Sequence, residues 1–253
     1  MLWAVALAIL LLLYAYTNYS DLMNGQASGL LIVVFGGFVS FDGIGIMQAL
    51  AFCMLFAVQL TLLGNEFRGD FETASAYLFT RGVKRRHWLF GKFVSVVEQS
   101  LVYYLILFAT ILCCVPMLGF AFDAANVFTV LACLLPTLAL TNTLLVLAVN
   151  IFTIRMSVPL VYAITLAFYT GWISLLPLMR DFQHLLRLVP VTRSILLIHD
   201  FPPFLNEMQE ALSTNLRISV YCTIIWMLLG IAILYTASFI WIRTTDLSRG
   251  NDM

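Results

Sequence analysis

The side chains able to hold a metal or attack a substrate are few and scattered. Cys53, Cys113, Cys114, Cys133 and Cys222 all fall inside apolar runs and form no C-x-x-C pair, and His87, His184 and His199 lack ligand spacing. Adjacent Cys113 and Cys114 point to different faces of a helix. Cysteines in such settings behave as small buried hydrophobes. No metal site and no catalytic residue is expected, and a membrane enzyme, which needs a nucleophile and base or a metal, finds no support in these residues. The charged residues carry more information. From Glu66 to Phe79 the apolar residues Phe67, Phe71, Ala74 and Leu78 recur at steps of four, three and four, which places them on one helical face. Glu66, Asp70, Thr73 and Tyr77 form a polar stripe beside it, and Arg68, Glu72 and Ser75 another. A short helix of this kind between two spans lies along the membrane surface with its polar side toward the cytosol. It suits a docking element and a passive linker equally. The basic run from Arg81 through Lys84, Arg85 and Arg86 to His87 also suits a lipid-headgroup anchor.

The elements that must position these residues follow from composition. Of 253 residues, 62% are apolar or aromatic and 10% are charged, the formal net charge is zero, and mean hydropathy is +0.98. A soluble domain carries about 25% charged residues. This chain cannot cover a water-facing surface, so its solvent is lipid. A soluble enzyme, a nucleic-acid binder and a disordered tail are excluded, and zero net charge leaves no footprint for DNA or RNA.

A spanning helix needs about 20 mostly apolar residues. Six stretches are candidates: Leu2–Tyr16, extendable to Tyr19, then Ile44–Leu63, Phe93–Leu118, Val127–Ile151, Val158–Met179 and Ile218–Ile242. No Lys or Arg precedes Arg68, so the first reads as a retained helix rather than a secretory signal. Leu30–Phe41 is too short to span. It reads as a re-entrant or interfacial piece, the competing reading being one bent helix from Leu30 to Leu63. The expected fold is all-α and polytopic: one transmembrane domain over residues 1–253, a cytoplasmic loop at 65–92 and an external segment at 180–217 that is half polar, carries Pro190, Pro202 and Pro203, and is too broken to span. Six of the thirteen Lys and Arg residues lie in Asn65–Lys92, which places that loop inside. Alternation then puts Thr17–Gly43, Gly119–Asn126 and Arg180–Arg217 outside, and Arg155 and the C-terminus inside. The arginines of 180–217 run against the rule.

Within the spans, Gly45, Ala49, Cys53, Ala57 and Thr61 repeat every four residues and are all small, a stripe that lets backbones approach closely in lipid. It serves packing within the chain or a dimer contact. The fourth span is the most polar, with Pro136, Thr137, Thr141, Asn142, Thr143 and Asn150. Thr137, Thr141 and Asn142 suit a transport path or hydrogen bonds between helices, and Pro136 should kink the helix. A buried acid or His relay of the kind a proton-driven transporter needs is not evident.

The order of residues around the cytoplasmic loop is also distinctive. Glu66-Phe67-Arg68-Gly69-Asp70-Phe71-Glu72 is followed by Tyr77-Leu78-Phe79-Thr80-Arg81, and Arg85-Arg86-His87-Trp88-Leu89-Phe90-Gly91-Lys92 leads into the third span. This resembles the membrane subunit of ATP-binding cassette (ABC) transporters of the type-2 exporter family. There a Glu and a Gly precede a helix, a Pro-x-x-Arg-like turn follows, and a Gly-Lys pair opens the next span; Thr80 stands where the family usually has Pro. Leu188-Val189-Pro190-Val191-Thr192-Arg193 looks like the family's Asn-Pro turn before the last span, so the resemblance implies one permease domain over 1–253 whose external segment at 180–217 is re-entrant. The resemblance implies that Glu66–Phe79 is a coupling helix docking on a separate ATPase through Glu66, Arg68, Asp70, Glu72, Thr73, Tyr77 and Arg81. Lys84, Arg85, Arg86 and Lys92 would be flanking contacts or lipid anchors. It further implies two ATPase copies holding ATP and Mg²⁺, a second permease copy or a homologous permease, and a bacterial cytoplasmic membrane. The exported substrate would be a lantibiotic- or bacteriocin-like peptide or a hydrophobic small molecule. The chain itself has no P-loop: in its only Gly-Lys pair, Gly91-Lys92, the residue five before Gly91 is Arg86 and the residue after Lys92 is Phe93. A permease-shaped sensor or immunity subunit that does not transport is the alternative.

Overall fold

Inside lipid every backbone N–H and C=O must find its partner within the protein, and a helix does this within one segment. The computed structural model describes residues 2–19, 25–35, 46–70, 84–176, 187–196, 199 and 218–244. Those residues are helical apart from turns and two isolated bridges. In chain order the helices are α1 (Leu2–Tyr19), α2 (Ala27–Phe35), α3 (Ile46–Leu63), α4 (Arg85–Cys114), α5 (Ala124–Thr153), α6 (Val158–Leu175), the single turn α7 (Pro190–Arg193) and α8 (Val220–Thr244). Five stretches are long and apolar enough to cross a membrane: Leu50–Asp70, Arg85–Leu118, Ala124–Thr153, Val158–Leu175 and Val220–Ile242. The protein is a helical, membrane-embedded chain. The expected first span is an apolar helix too, but a shorter one, over Leu2–Asn18.

Two boundaries differ from the sequence reading. The third span is expected to start at Phe93, yet α4 starts at Arg85, so Arg85, Arg86 and Lys92 occupy its first turns rather than a loop. Long basic side chains can lie along a helix and reach the headgroup level, so charge does not mark the helix end. Leu30–Phe41 yields the short helix α2, in which every residue except Gly29 is buried; residues 36–45 lie outside the described residues, and with them Gly45 and the link to α3. The expectation that the cysteines are buried holds for Cys53, while Cys113 and Cys222 are exposed and Cys114 and Cys133 are half-buried. In lipid an apolar side chain need not face the protein interior.

The central element is α5, which packs against α2, α3, α4, α6, α7 and α8. Its polar residues explain the position: Thr137, Thr141, Asn142, Thr143 and Asn150 are all buried. α5 runs on past Pro136, and the Thr137 hydroxyl donates to the Cys133 carbonyl at 2.8 Å beside the proline. The outer faces of the bundle are apolar, with Leu10 and Leu13 on α1, Leu160 and Ile164 on α6, and Ile225 and Ile233 on α8 exposed. Such faces suit an apolar surrounding rather than water.

The loops segregate to two ends. At one end the turn before α2 meets the loop before α5. Ala27 N–H donates to Ala121 O at 3.0 Å, Ala121 N–H to Gly25 O at 2.8 Å, and Ser28 N–H to the Asp123 carboxylate at 3.2 Å. Asp123 thereby caps the first turn of α2 from a distant part of the chain. Tyr16, near the end of α1, meets Phe120 at the same place, with ring centroids 6.3 Å apart. At the other end lie the turn after α3, the start of α4, the α5–α6 connection and the end of α8. Arg85 Nη1 donates there to the Ile242 carbonyl at 3.1 Å, and the Arg155 guanidinium sits 4.7 Å from the Trp241 ring centroid. The segments that alternation assigns to opposite sides thus meet at opposite ends.

Candidate functional site

The densest set of polar contacts at the basic end surrounds the turn that follows α3. A helix leaves its last carbonyls unpaired, and α3 ends at Leu63. The Asn150 side chain of α5 supplies the partners: Nδ2 donates to Leu63 O at 2.6 Å and to Val146 O at 2.9 Å, while Oδ1 accepts from Phe67 N–H at 3.1 Å. The chain turns at Gly64 and Asn65 and is helical again over 66–70. Gly64 is required by space: a Cβ there would lie 2.5 Å from Leu60 O and 2.7 Å from the Tyr162 hydroxyl of α6. Phe67 is fully buried, with its ring 6.0 Å from Trp88 and 5.8 Å from Phe93. Arg68 Nη1 donates to Met156 O at 3.2 Å. The turn at 66–70 is therefore held by α3, α4, α5 and the α5–α6 connection together.

Its charges are partly neutralised within the chain. Lys92 Nζ lies 2.9 Å from Asp70 Oδ2 and 3.6 Å from Glu66 Oε2. Two carboxylates share one ammonium, and the side chains of Glu66 and Asp70 keep 35% and 39% of their exposure. Such pairs contribute about 0–1 kcal/mol each. With Arg68 in the same turn and Lys92 beside it, the two carboxylates are matched by two cations, and Lys84, Arg85 and Arg86 lie at the start of α4.

No family model, curated protein or solved structure matches this chain.

The remaining expected site residues fall as follows. Glu72, Thr73, Tyr77 and Arg81 lie outside the described residues. Of the small-residue stripe, Cys53 is buried, Ala57 half-buried and Thr61 exposed, where its hydroxyl donates to its own helix at Val58 O, 2.8 Å away. A step of four residues advances about 40° beyond a full turn of an α-helix, so the stripe winds out of the interior; the side chain of Ala49 is not among those described. Thr137, Thr141 and Asn142 are fully buried. Asn142 joins a network that the sequence reading missed. Its Nδ2 donates to the Tyr104 hydroxyl, which donates to Gln59 Oε1 at 3.0 Å, and Gln59 Nε2 donates to Ser100 Oγ at 3.0 Å. Tyr169 donates weakly to Asn142 Oδ1 at 3.5 Å and stacks on Phe56, with centroids 4.5 Å apart. Gln59, Ser100, Tyr104 and Tyr169 are fully buried. The available signal was the isolation of Gln59 inside an otherwise apolar run, since a lone polar side chain in a span must find a partner on another helix.

Proposed function

We propose that this chain is the membrane-spanning permease-type subunit of an ABC exporter. Two copies of a separate ATPase, holding ATP and Mg²⁺, drive it, and it works with a second permease copy or a homologous permease. In this reading all six apolar helices cross the bacterial cytoplasmic membrane, with the basic end in the cytosol. The observation that carries the reading is the attachment of the 66–70 turn. Through Asn150, Lys92 and Arg68 this half-buried turn, which carries Glu66 and Asp70, is fastened to three helices and a connection at once. Force applied to it by a closing ATPase would pass directly into α3, α4 and α5. A peptide of the lantibiotic or bacteriocin type, or a hydrophobic small molecule, suits a bundle whose buried polar groups are mostly neutral. Rigid attachment also favours force transmission over the alternative, a permease-shaped sensor or immunity subunit.

The test is purification of the tagged chain from its native membrane, with and without charge reversal in the turn. An ATP-binding cassette protein should co-purify, and ATP hydrolysis should belong to the complex and not to the chain alone. Losing a charge contact at a desolvated interface costs about 2–5 kcal/mol, roughly 30-fold or more in affinity. Asp70→Lys and Glu66→Lys should lose the ATPase, while Lys92→Ala, which frees both acids, should keep it. Full ATPase binding and activity in both reversals would rule out this turn as the electrostatic contact. Sustained ATP turnover by the clean single chain would end the reading.

A further inference from the structure

Arg193 is a buried cation at the end of the bundle opposite Lys92. It closes α7, retains 7% of its exposure, and makes only neutral contacts. Nε donates to Arg187 O at 2.8 Å, Nη1 approaches Thr223 Oγ1 at 3.4 Å, and the guanidinium sits 4.9 Å from the Trp226 ring centroid. His199 braces the acceptor: its Nε2 lies 3.0 Å from the same Thr223 hydroxyl and its Nδ1 lies 3.0 Å from Ile195 O.

Among the described residues no carboxylate pairs with Arg193. A guanidinium has five N–H donors, of which two are engaged among the described residues. Burial lowers the Arg193 pKa, the Cys222 thiol opposes that shift, and the Arg187 cation adds to it. Withdrawing a cation from water costs several kcal/mol unless an anion joins it, and two neighbouring guanidiniums raise the demand.

The surroundings define the anion. Thr223 and Trp226 belong to the first two turns of α8, where Tyr221 and Ile225 are 79% and 59% exposed. Exposed aromatic residues at a span's end mark headgroup depth, and an apolar helix face runs from there toward the bilayer centre. Guanidinium groups bind phosphate oxygens in a paired, fork-like geometry.

We propose that Arg193, with Arg187 beside it and Trp226 beneath it, binds the phosphate of a membrane phospholipid whose acyl chains lie along the exposed face of α8. Lipid binding here is independent of the transport reading, because it needs only the bilayer.

The test is native mass spectrometry of the detergent-purified full chain titrated with phosphatidylglycerol, with diacylglycerol of the same acyl chains as the uncharged probe. The wild-type chain should hold one phosphatidylglycerol more tightly than diacylglycerol. Arg193→Gln should weaken that site about tenfold or more, Arg187→Gln should weaken it less, and Arg193→Lys should fall between wild type and Arg193→Gln. Wild-type phosphatidylglycerol affinity in a folded Arg193→Gln chain would overturn the proposal. Should that variant fail to fold, unchanged affinity in both Arg187→Gln and Arg193→Lys would overturn it equally. Displacement of the tight phosphatidylglycerol by an equimolar peptide with a free C-terminal carboxylate would reassign the site to a peptide.

Discussion

The side-chain oxygen of Asn150 accepts the backbone N–H of Phe67 at 3.1 Å across 83 residues of chain. The same carboxamide holds the last carbonyl of α3, so one residue of the central helix fixes both sides of the turn. Asn150→Ala should leave Phe67 N–H and Leu63 O buried without partners, at about 2–4 kcal/mol. The check is thermal unfolding in detergent beside Thr153→Ala, which loses only a bond within its own helix. Equal melting of the two variants would contradict the assignment.

Gly64 is a second lock on that turn. Gly64→Ala should destabilise the chain by about 1–3 kcal/mol through overpacking. Adding Tyr162→Phe should recover part of the loss, because it removes the hydroxyl 2.7 Å from the new methyl and leaves Leu60 O at 2.5 Å. Melting temperatures of the single and double variants measure this. Full recovery, or none, would mean that Tyr162 is not one of two obstacles.

The buried network gives an ordering rather than a single value. The Tyr104 hydroxyl both donates to Gln59 and accepts from Asn142, so Tyr104→Phe should cost about 1–3 kcal/mol. Tyr169→Phe removes a long bond to Asn142 and a contact with Ser194 while keeping the stack on Phe56, so its cost should be about 1 kcal/mol or less. Denaturation of the two variants in the same detergent decides it. A larger loss for Tyr169→Phe would invert the hierarchy drawn from the distances.

Sidedness can be read on intact cells in a chain lacking its five native cysteines. Phe122→Cys and Asn65→Cys place one thiol at each end of the bundle, both at exposed positions. An impermeant thiol reagent should label the first on intact cells and the second only after the membrane is opened. The reverse pattern would turn the protein over in the membrane and carry Lys92, Asp70 and Glu66 outside.

The sequence alone determined the solvent, the secondary structure and most helix positions. Those follow from local quantities: few charges, long apolar runs, and a backbone that must pair with itself in lipid. The clustering of Lys and Arg before Phe93 likewise pointed to the end of the bundle where Arg68, Arg85 and Arg155 now meet. It did not tell that Arg85 begins a helix, because charge and helix are compatible at the headgroup level. Nor did it pair the polar residues. Asn150 with Phe67, Asp123 with Ser28 and Tyr104 with Gln59 are separated by 83, 95 and 45 residues. Hydropathy treats all of them as small interruptions of an apolar run. Only the tertiary structure decides which interruptions face one another. In lipid, where apolar faces gain little by leaving one another for the bilayer, close packing and those buried polar contacts set how the helices are arranged.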